Sequence, residues 1–299
     1  MSDLVSVLTP TYNCGKYIHR LLDSVLKQTY PAIEMYVMDD GSTDDTRSVI
    51  DSYIPRFEEK GYSLHYRYHE NQGQSGAIND GLKLIKGEYL VWPDADDFYK
   101  TDNAIEAMVD SLKNSADDVG MTRVLLEYLK EEDLTLARGL NQPGPYSDRL
   151  FEDCLFKING FWYCAGGYMV KTAVLKAGIP DLEIYTEHDA GQNWQLMLPV
   201  LYTHRCLTIP QVMYSVLTRS SSHSRGQYAT RKQVNRQYNG YRNTILATLK
   251  KIPTMPAAEL TDYCRRINRQ YDKMVMMNNL RCFLRPITPY IKRMIGKHD

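Results

Sequence analysis

Three carboxylates crowd into four positions at Asp94-Ala95-Asp96-Asp97, directly after the apolar run Tyr89 to Trp92. Like charges this close repel one another unless a cation joins them. An all-oxygen donor set suits a hard ion such as Mg²⁺ or Mn²⁺, which keeps waters and draws its remaining ligands from a substrate diphosphate. The same residues also suit a helix start, with Asp97 or Asp102 capping a helix over 103–114. Asp39-Asp40-Gly41-Ser42 is a second acidic turn after an apolar run. Asp-Gly turns are common in themselves, and Ser42 with Asp45 resembles a capping box.

Positioning these groups falls to strands and helices that alternate along the first hundred residues. Leu4 to Thr9 reads as a buried strand closed by Pro10, and Ile18, Leu21, Leu22, Val25 and Leu26 recur at the spacing of one helix face. Strands follow at Ile33 to Met38, Leu64 to Tyr68 and Tyr89 to Trp92, with helices between them. This alternation implies a parallel sheet with helices on both faces, where ligands bind beyond the carboxyl ends of the strands. The polar clusters Thr11 to Asn13, Asp39 to Ser42, Asn71 to Ser75 and Asp94 to Asp97 each follow a strand, so four segments converge on one edge.

The later pattern is looser. Glu127 to Pro145 reads as an acidic, irregular insertion. Phe151 to Ile158 reads as a helix, Tyr168 to Val170 as a strand and Gln192 to Leu198 as a helix, and two helices are expected over Thr230 to Lys250 and Glu259 to Leu284. Trp162 and Tyr163 suit either the core or a stack against a sugar.

No run of about 18 to 20 apolar residues is present, and Leu4 to Leu8 is too short for a signal core. Six scattered cysteines at no redox or metal spacing fit a reducing cytoplasm. The net charge of zero conceals a division: from Arg219 onward there are 17 Lys+Arg and 4 Asp+Glu, so residues 1–218 carry −13 and the tail +13. A basic tail suits nucleic acid, anionic lipid or the protein's own acidic body, and charge alone does not choose among them.

Taken together, Val7-Leu8-Thr9-Pro10-Thr11-Tyr12-Asn13, Asp39-Asp40-Gly41-Ser42-Thr43-Asp44, Asn71-Gln72-Gly73 with Ala77 and Asn79-Asp80-Gly81, Gly87-Glu88-Tyr89 and Asp94-Ala95-Asp96-Asp97 closely resemble the nucleotide-sugar-binding half of family 2 glycosyltransferases with the GT-A fold. The resemblance is strong to about residue 115, weaker to about 225 and absent from the tail. It implies an α/β domain over 1–218 with a mostly parallel central sheet flanked by helices, in which 1–115 binds the donor and 116–218 faces the acceptor. Residues 219–299 follow as a basic loop and a helical extension. The implied donor is a nucleoside diphosphate sugar, usually UDP-linked. Pro10, Thr11, Tyr12 and Asn13 would lie beside the nucleotide, Asp39 would accept from the uracil N3–H, Gly73 to Ser75 would let the backbone approach, and Asp94 with Ala95 would sit near the ribose. Asp96 would bind Mg²⁺ or Mn²⁺, His223 would complete the metal shell and Arg225 would contact phosphate.

The family's chemistry implies inverting attack by an acceptor hydroxyl, which needs a base. The base ordinarily comes from an aspartate in a Gly-Glu-Asp type segment, but the matching stretch here is Gly191-Gln192-Asn193-Trp194, and an amide accepts no proton. Asp189 is therefore the expected base, with Glu187 second; both also suit a plain helix start. The implied activity is a cytoplasmic, metal-dependent glycosyltransferase of surface or capsular polysaccharide assembly, acting on a saccharide or lipid-linked acceptor. A non-catalytic nucleotide-sugar-binding partner of another transferase is the alternative. A nucleotidyltransferase ranks third, because Leu4 to Asn13 contains no glycine. The tail, with Tyr290, Ile291, Met294 and Ile295 beside Lys292 and Arg293, is expected to dock peripherally on the inner face of an anionic membrane, or to pack on the acidic body. Nothing resembles a nucleic-acid-binding motif.

Overall fold

β1 (Val5–Thr11) and β2 (Ile33–Asp40) are buried at every position, as expected of central strands covered on both faces. The computed structural model describes residues 3–140, 146–187, 191–219 and 230–284. β1 pairs in parallel with β2 and with β4 (Tyr89–Val91), and β2 pairs in parallel with β3 (Ser63–His69). Register sets the site: Thr11 is opposite Asp39, and Asp40 is opposite His69, so three strands finish at one level.

The connecting helices are α1 (Gly15–Leu26), α2 (Thr46–Lys60) and α3 (Gln74–Leu82). α1 buries Ile18, Leu21, Leu22 and Val25, the stripe read from its spacing. Beyond β4 come β5 (Phe98–Tyr99) and α4 (Ala104–Lys113), then the long β6 (Val119–Lys130) with β7 (Asp133–Leu140). α5 (Phe151–Phe156), β8 (Tyr168–Lys171), α6 (Thr172–Gly178), α7 (Gln192–Thr203) and β9 (Arg205–Thr218) complete the body. The sheet runs β3-β2-β1-β4-β8-β6-β9-β5, with β7 beside β6. Its first four strands are parallel; β8 pairs antiparallel with both β4 and β6, and β9 runs parallel to β6.

Several local expectations are overturned. Glu127 to Lys130 belong to β6 and residues 133–140 form β7, so this stretch is a hairpin rather than an irregular insertion, apart from 141–145 outside the described residues. Pairing decided it: β9 runs beside β6 as far as Lys130, and the buried Glu127 accepts from Ser215 Oγ on β9 at 2.8 Å. Pro10 does not end β1, because pairing with β2 continues through Pro10 to Thr11. Ser42 and Asp45 form no capping box. The Ser42 hydroxyl instead accepts from Asn13 N at 2.8 Å, and Asp44 accepts from Gly15 N at 3.0 Å and Thr46 N at 3.0 Å. Asp97 does not cap α4; its Oδ1 accepts from Leu217 N at 2.9 Å, tying the acidic turn to β9. Of the two alternatives open for Trp162 and Tyr163, packing follows the core one. The Arg123 guanidinium lies 3.7 Å from the Trp162 ring centre, and Tyr163 packs 4.8 Å from Trp194.

The tail helices, α8 (Arg231–Lys251) and α9 (Ala257–Leu284), pack on this body. Lys251 pairs with Asp181 at 3.0 Å and Arg266 with Glu152 at 2.9 Å, so part of the basic charge meets the acidic body. Residues 285–299, on which the membrane-docking expectation rests, lie outside the described residues. Among the described residues no helix is long and apolar enough to cross a membrane.

Candidate active site

The ends of β1 and β2 build the first wall. Asp39 is almost wholly buried, and its Oδ2 accepts from Tyr66 OH at 2.7 Å while Oδ1 accepts from Ser42 N at 2.9 Å. Each oxygen retains a lone pair, so the carboxylate is aimed rather than saturated. Asp40 acts differently. Its two oxygens accept from Gln72 N at 2.7 Å and Gly73 N at 3.0 Å, which folds the loop after β3 onto β2. Gly73 adopts φ +85°, and a side chain there would meet nothing within 4 Å, so the backbone borders open space. Asn13 also takes positive φ and accepts from Thr43 N at 2.8 Å, locking the β1 loop to the β2 loop. Tyr12 is exposed; Pro10 and Thr11 are buried at the strand end.

The acidic turn after β4 forms the second wall. Asp94 Oδ1 accepts from Gln74 Nε2 at 3.1 Å and from Gln192 Nε2 at 3.0 Å, joining the starts of α3 and α7. Burial, and then the adjacent Asp96 carboxylate, push the Asp94 carboxyl up to about 7. Asp97, buried beside them, is raised by the same causes. Ala95 is buried between these carboxylates. Asp96 Oδ2 is met at 2.7 Å by Arg219 Nη2, and the same guanidinium lies 4.5 Å from the ring centre of Tyr17. The crowding of carboxylates read from the sequence is thus answered by an internal cation.

α7 enters from the other side. Its first residue, Gln192, is buried and places Nε2 on Asp94, while its Oε1 has no partner among the described residues. Asn193 Oδ1 accepts from Trp92 Nε1 at 3.3 Å. One turn on, Gln195 Nε2 reaches Ser75 Oγ at 3.4 Å, which fixes α7 against α3. Sequence reasoning placed Thr11, Asn13, Asp39, Gly73, Ser75, Asp94 and Asp96 on one edge, and the structure gathers them there. Arg219, Gln74, Gln192 and Tyr66 were missed as contributors. Gln74 adjoins a recognised loop, but no local signal announces that Arg219, 123 positions after Asp96, returns to it from the end of β9. Glu187 is exposed five residues before α7. Asp189, His223 and Arg225 lie outside the described residues.

Residues 6–169 match the sequence profile of glycosyl transferase family 2, more than half of the chain. The chain belongs to glycosyl transferase family 2. Among curated members, it is 38% identical over 120 residues to the glycosyltransferase GlyG of Streptococcus pneumoniae, covering 40% of this chain and 38% of that one. It is 37% identical over 114 residues to the chondroitin synthase of Escherichia coli, covering 37% of this chain and 15% of that one. The chain therefore spans well under half the length of these two relatives. Among solved structures, S. aureus TarS 1–349 in complex with UDP-GlcNAc superposes with a TM-score of 0.66 at 20% identity, covering 92% of this chain and 74% of that one. The mannosyltransferase PcManGT from Pyrobaculum calidifontis, in complex with GDP-Man and Mn²⁺, gives 0.56 at 18% identity, covering all of this chain and 89% of that one. These likenesses establish the GT-A fold. In this family 2 chain the matched segment ends within β8, so α7, β9, Arg219 and both tail helices lie beyond it.

Proposed function

We propose that this chain transfers a glycosyl group from a UDP-sugar to an acceptor hydroxyl, with inversion, in assembly of a surface polysaccharide. The observation that carries the reading is the convergence of Asp39, the open Gly73 backbone and the Asp94–Asp96 pair, from separate strand ends, on one edge of the sheet. Asp39 is an aimed acceptor for the imide N–H of uracil. Gly73 and the β1 loop border the nucleotide without a side chain intruding.

The donor set also fits a divalent ion. Asp94 and Asp96 are two largely buried carboxylates two positions apart, and the Arg219 guanidinium here supplies a cation to Asp96. Asp96 would hold Mg²⁺ or Mn²⁺ with Asp94 beside it, and His223 would contribute from the following loop. Bound there, the ion neutralises charge developing on the departing diphosphate. The chain's own residues do the rest: Gln74 and Gln192 orient Asp94, Arg219 moves from Asp96 toward phosphate oxygens, and Arg225 adds a second cation. Asp189, or failing it Glu187, takes the acceptor proton. On this reading residues 1–115 bind donor, 116–218 face acceptor, and 219–299 carry a loop and a basic extension that meets the inner membrane surface.

One observation favours a second reading. Asn193 replaces the expected acid at α7 and is engaged by Trp92, which suits a non-catalytic nucleotide-sugar-binding partner subunit. Release of UDP from a panel of UDP-sugars with saccharide acceptors decides between them. Turnover abolished by Asp96→Ala supports the transferase. Tight, metal-dependent UDP binding without turnover on any acceptor supports the partner subunit, and no UDP binding at all refutes both.

A further inference from the structure

A groove of about 1140 Å³ runs along α8, outside the donor edge. Its floor is a stripe of Lys232, Arg236, Asn239 and Asn243, spaced four, three and four residues apart, so all four lie on one face. At 1.5 Å per residue the stripe is roughly 16 Å long, the reach of three or four sugar rings. Glu187 lines the same groove, and Asn279 of α9 closes another side.

Among the described residues the lining offers cations and amides and no large apolar side chain, a set that suits a polar occupant rather than a lipid tail. Amides pair with hydroxyls through donor and acceptor at once, whereas guanidinium and ammonium groups select carboxylate or phosphate. Among the described lining residues Arg231, Lys232 and Arg236 bring three cations and Glu187 one carboxylate. Other basic residues of the tail meet acidic partners, as Arg242 does with Asp272 at 2.9 Å, Lys251 with Asp181 and Arg266 with Glu152. Among the described residues neither Arg231 nor Lys232 forms an ion pair, so they stand ready for an external anion.

The amides are held in place beforehand. Asn235 donates from Nδ2 to Asn279 Oδ1 at 2.9 Å and accepts at Oδ1 from Asn278 at 2.7 Å, bracing α8 against α9. Asn239 accepts from Arg242 Nη2 at 2.9 Å, which leaves its own N–H donors for a ligand. Such pre-setting lowers the ordering cost of binding.

The groove is also in the right place. α7 lies between it and the donor edge: Gln192 and Gln195 touch Asp94 and Ser75, while Trp194 packs 5.0 Å from Tyr241 in the middle of α8. Glu187 leads into α7 from the groove side. A chain lying in the groove would run along the side of α7 that faces away from the donor edge. The −13 carried by residues 1–218 repels a polyanion from the rest of the body, so field and groove act together.

We propose that this groove binds an anionic saccharide acceptor, recognising its carboxylate or phosphate groups through Arg231, Lys232 and Arg236 and its hydroxyls through Asn239 and Asn243. The proposal rests on the transferase reading for the role of the ligand, but its binding test does not require turnover. Calorimetry on the full chain would use three oligomers of matched length: a uronate hexamer, a glycerol-phosphate hexamer and a neutral glucose hexamer. At least one anionic oligomer is expected to bind with salt-weakened affinity while the neutral one does not. Whether uronate or phosphate binds tells which anion the groove selects. In Arg231→Gln/Arg236→Gln, both exposed positions, binding should fall ~tenfold or more, with Mn²⁺-dependent UDP binding unchanged. Equal binding of the neutral hexamer, undiminished binding by the double variant, or failure of both anionic hexamers on protein that binds UDP would each overturn it. So would binding of phosphatidylglycerol vesicles through the same arginines in place of either hexamer. Hexamer binding by protein that binds no UDP would sink the transferase reading and leave the groove standing.

Discussion

Arg219 Nη2 stands 2.7 Å from Asp96 Oδ2, a pair in which both side chains are more than four-fifths buried. A guanidinium and a divalent ion are rivals for that carboxylate. Arg219→Met should therefore tighten Mn²⁺ binding to the nucleotide-free protein about tenfold, or ~1.4 kcal/mol, read by electron paramagnetic resonance. Unchanged or weakened Mn²⁺ affinity would show that the metal does not use Asp96.

Asp39 is aimed by Tyr66 and Ser42. Asp39→Asn replaces an anionic acceptor and puts a donor where the uracil N–H points, so UDP affinity should drop by ~1.5–3 kcal/mol, the range for hydrogen bonds to charged groups. Tyr66→Phe should cost less, because Ser42 N still orients the carboxylate. Calorimetric titration with UDP separates the two, and equal losses would contradict the assignment.

The base is tested by two conservative changes. Asp189→Asn should lower kcat ~100-fold or more with donor affinity nearly unchanged, the lower range for general-base catalysis. Normal turnover by this variant together with a dead Glu187→Gln would move the role to Glu187, and full activity in both would remove it from each.

Cysteine reactivity should follow burial. Burial first, and then Asp96, raise the Cys14 thiol to about 12, burial raises Cys206 to about 12, and Cys154 and Cys164 are raised by burial as well. Since the thiolate is the reactive form, these four should resist iodoacetamide at pH 8 while the partly exposed Cys282 is labelled and Cys264, whose thiol burial also raises, reacts more slowly. Mass spectrometry of the native protein reads the pattern, and rapid labelling of Cys14 would mean that the β1 loop opens.

Gly81 lies where α3 crosses β1, and a methyl group there would overlap Leu8 Cδ1. Leu8 is fully buried and has no room to swing aside. Gly81→Ala should destabilise the fold by ~1–3 kcal/mol, the usual cost of overpacking, seen as a lower midpoint in denaturant. A neutral or stabilising outcome would mean that α3 shifts freely on the sheet.

Leu8, Asp39 and Asp94 show what the amino-acid sequence determined by itself. Apolar runs broken by acidic or glycine-bearing turns specify a strand and its carboxyl end locally, and parallel crossovers then leave those ends on one edge with few alternatives. That much, with Asp39, Gly73, Asp94 and Asp96 on the edge, was legible because periodicity and turn chemistry act over a few residues. The hairpin over residues 119–140 was less so, since its mixed polar sequence becomes a strand only once β9 pairs along its length. Tertiary structure alone decided that Arg219 returns to Asp96, that Gln192 holds Asp94 from 98 positions away, and that Trp162 lies under Arg123 rather than in the site. Charge pairing and ring packing depend on distance in space, and a chain that folds back through a sheet brings together residues whose separation in sequence carries no trace of the meeting.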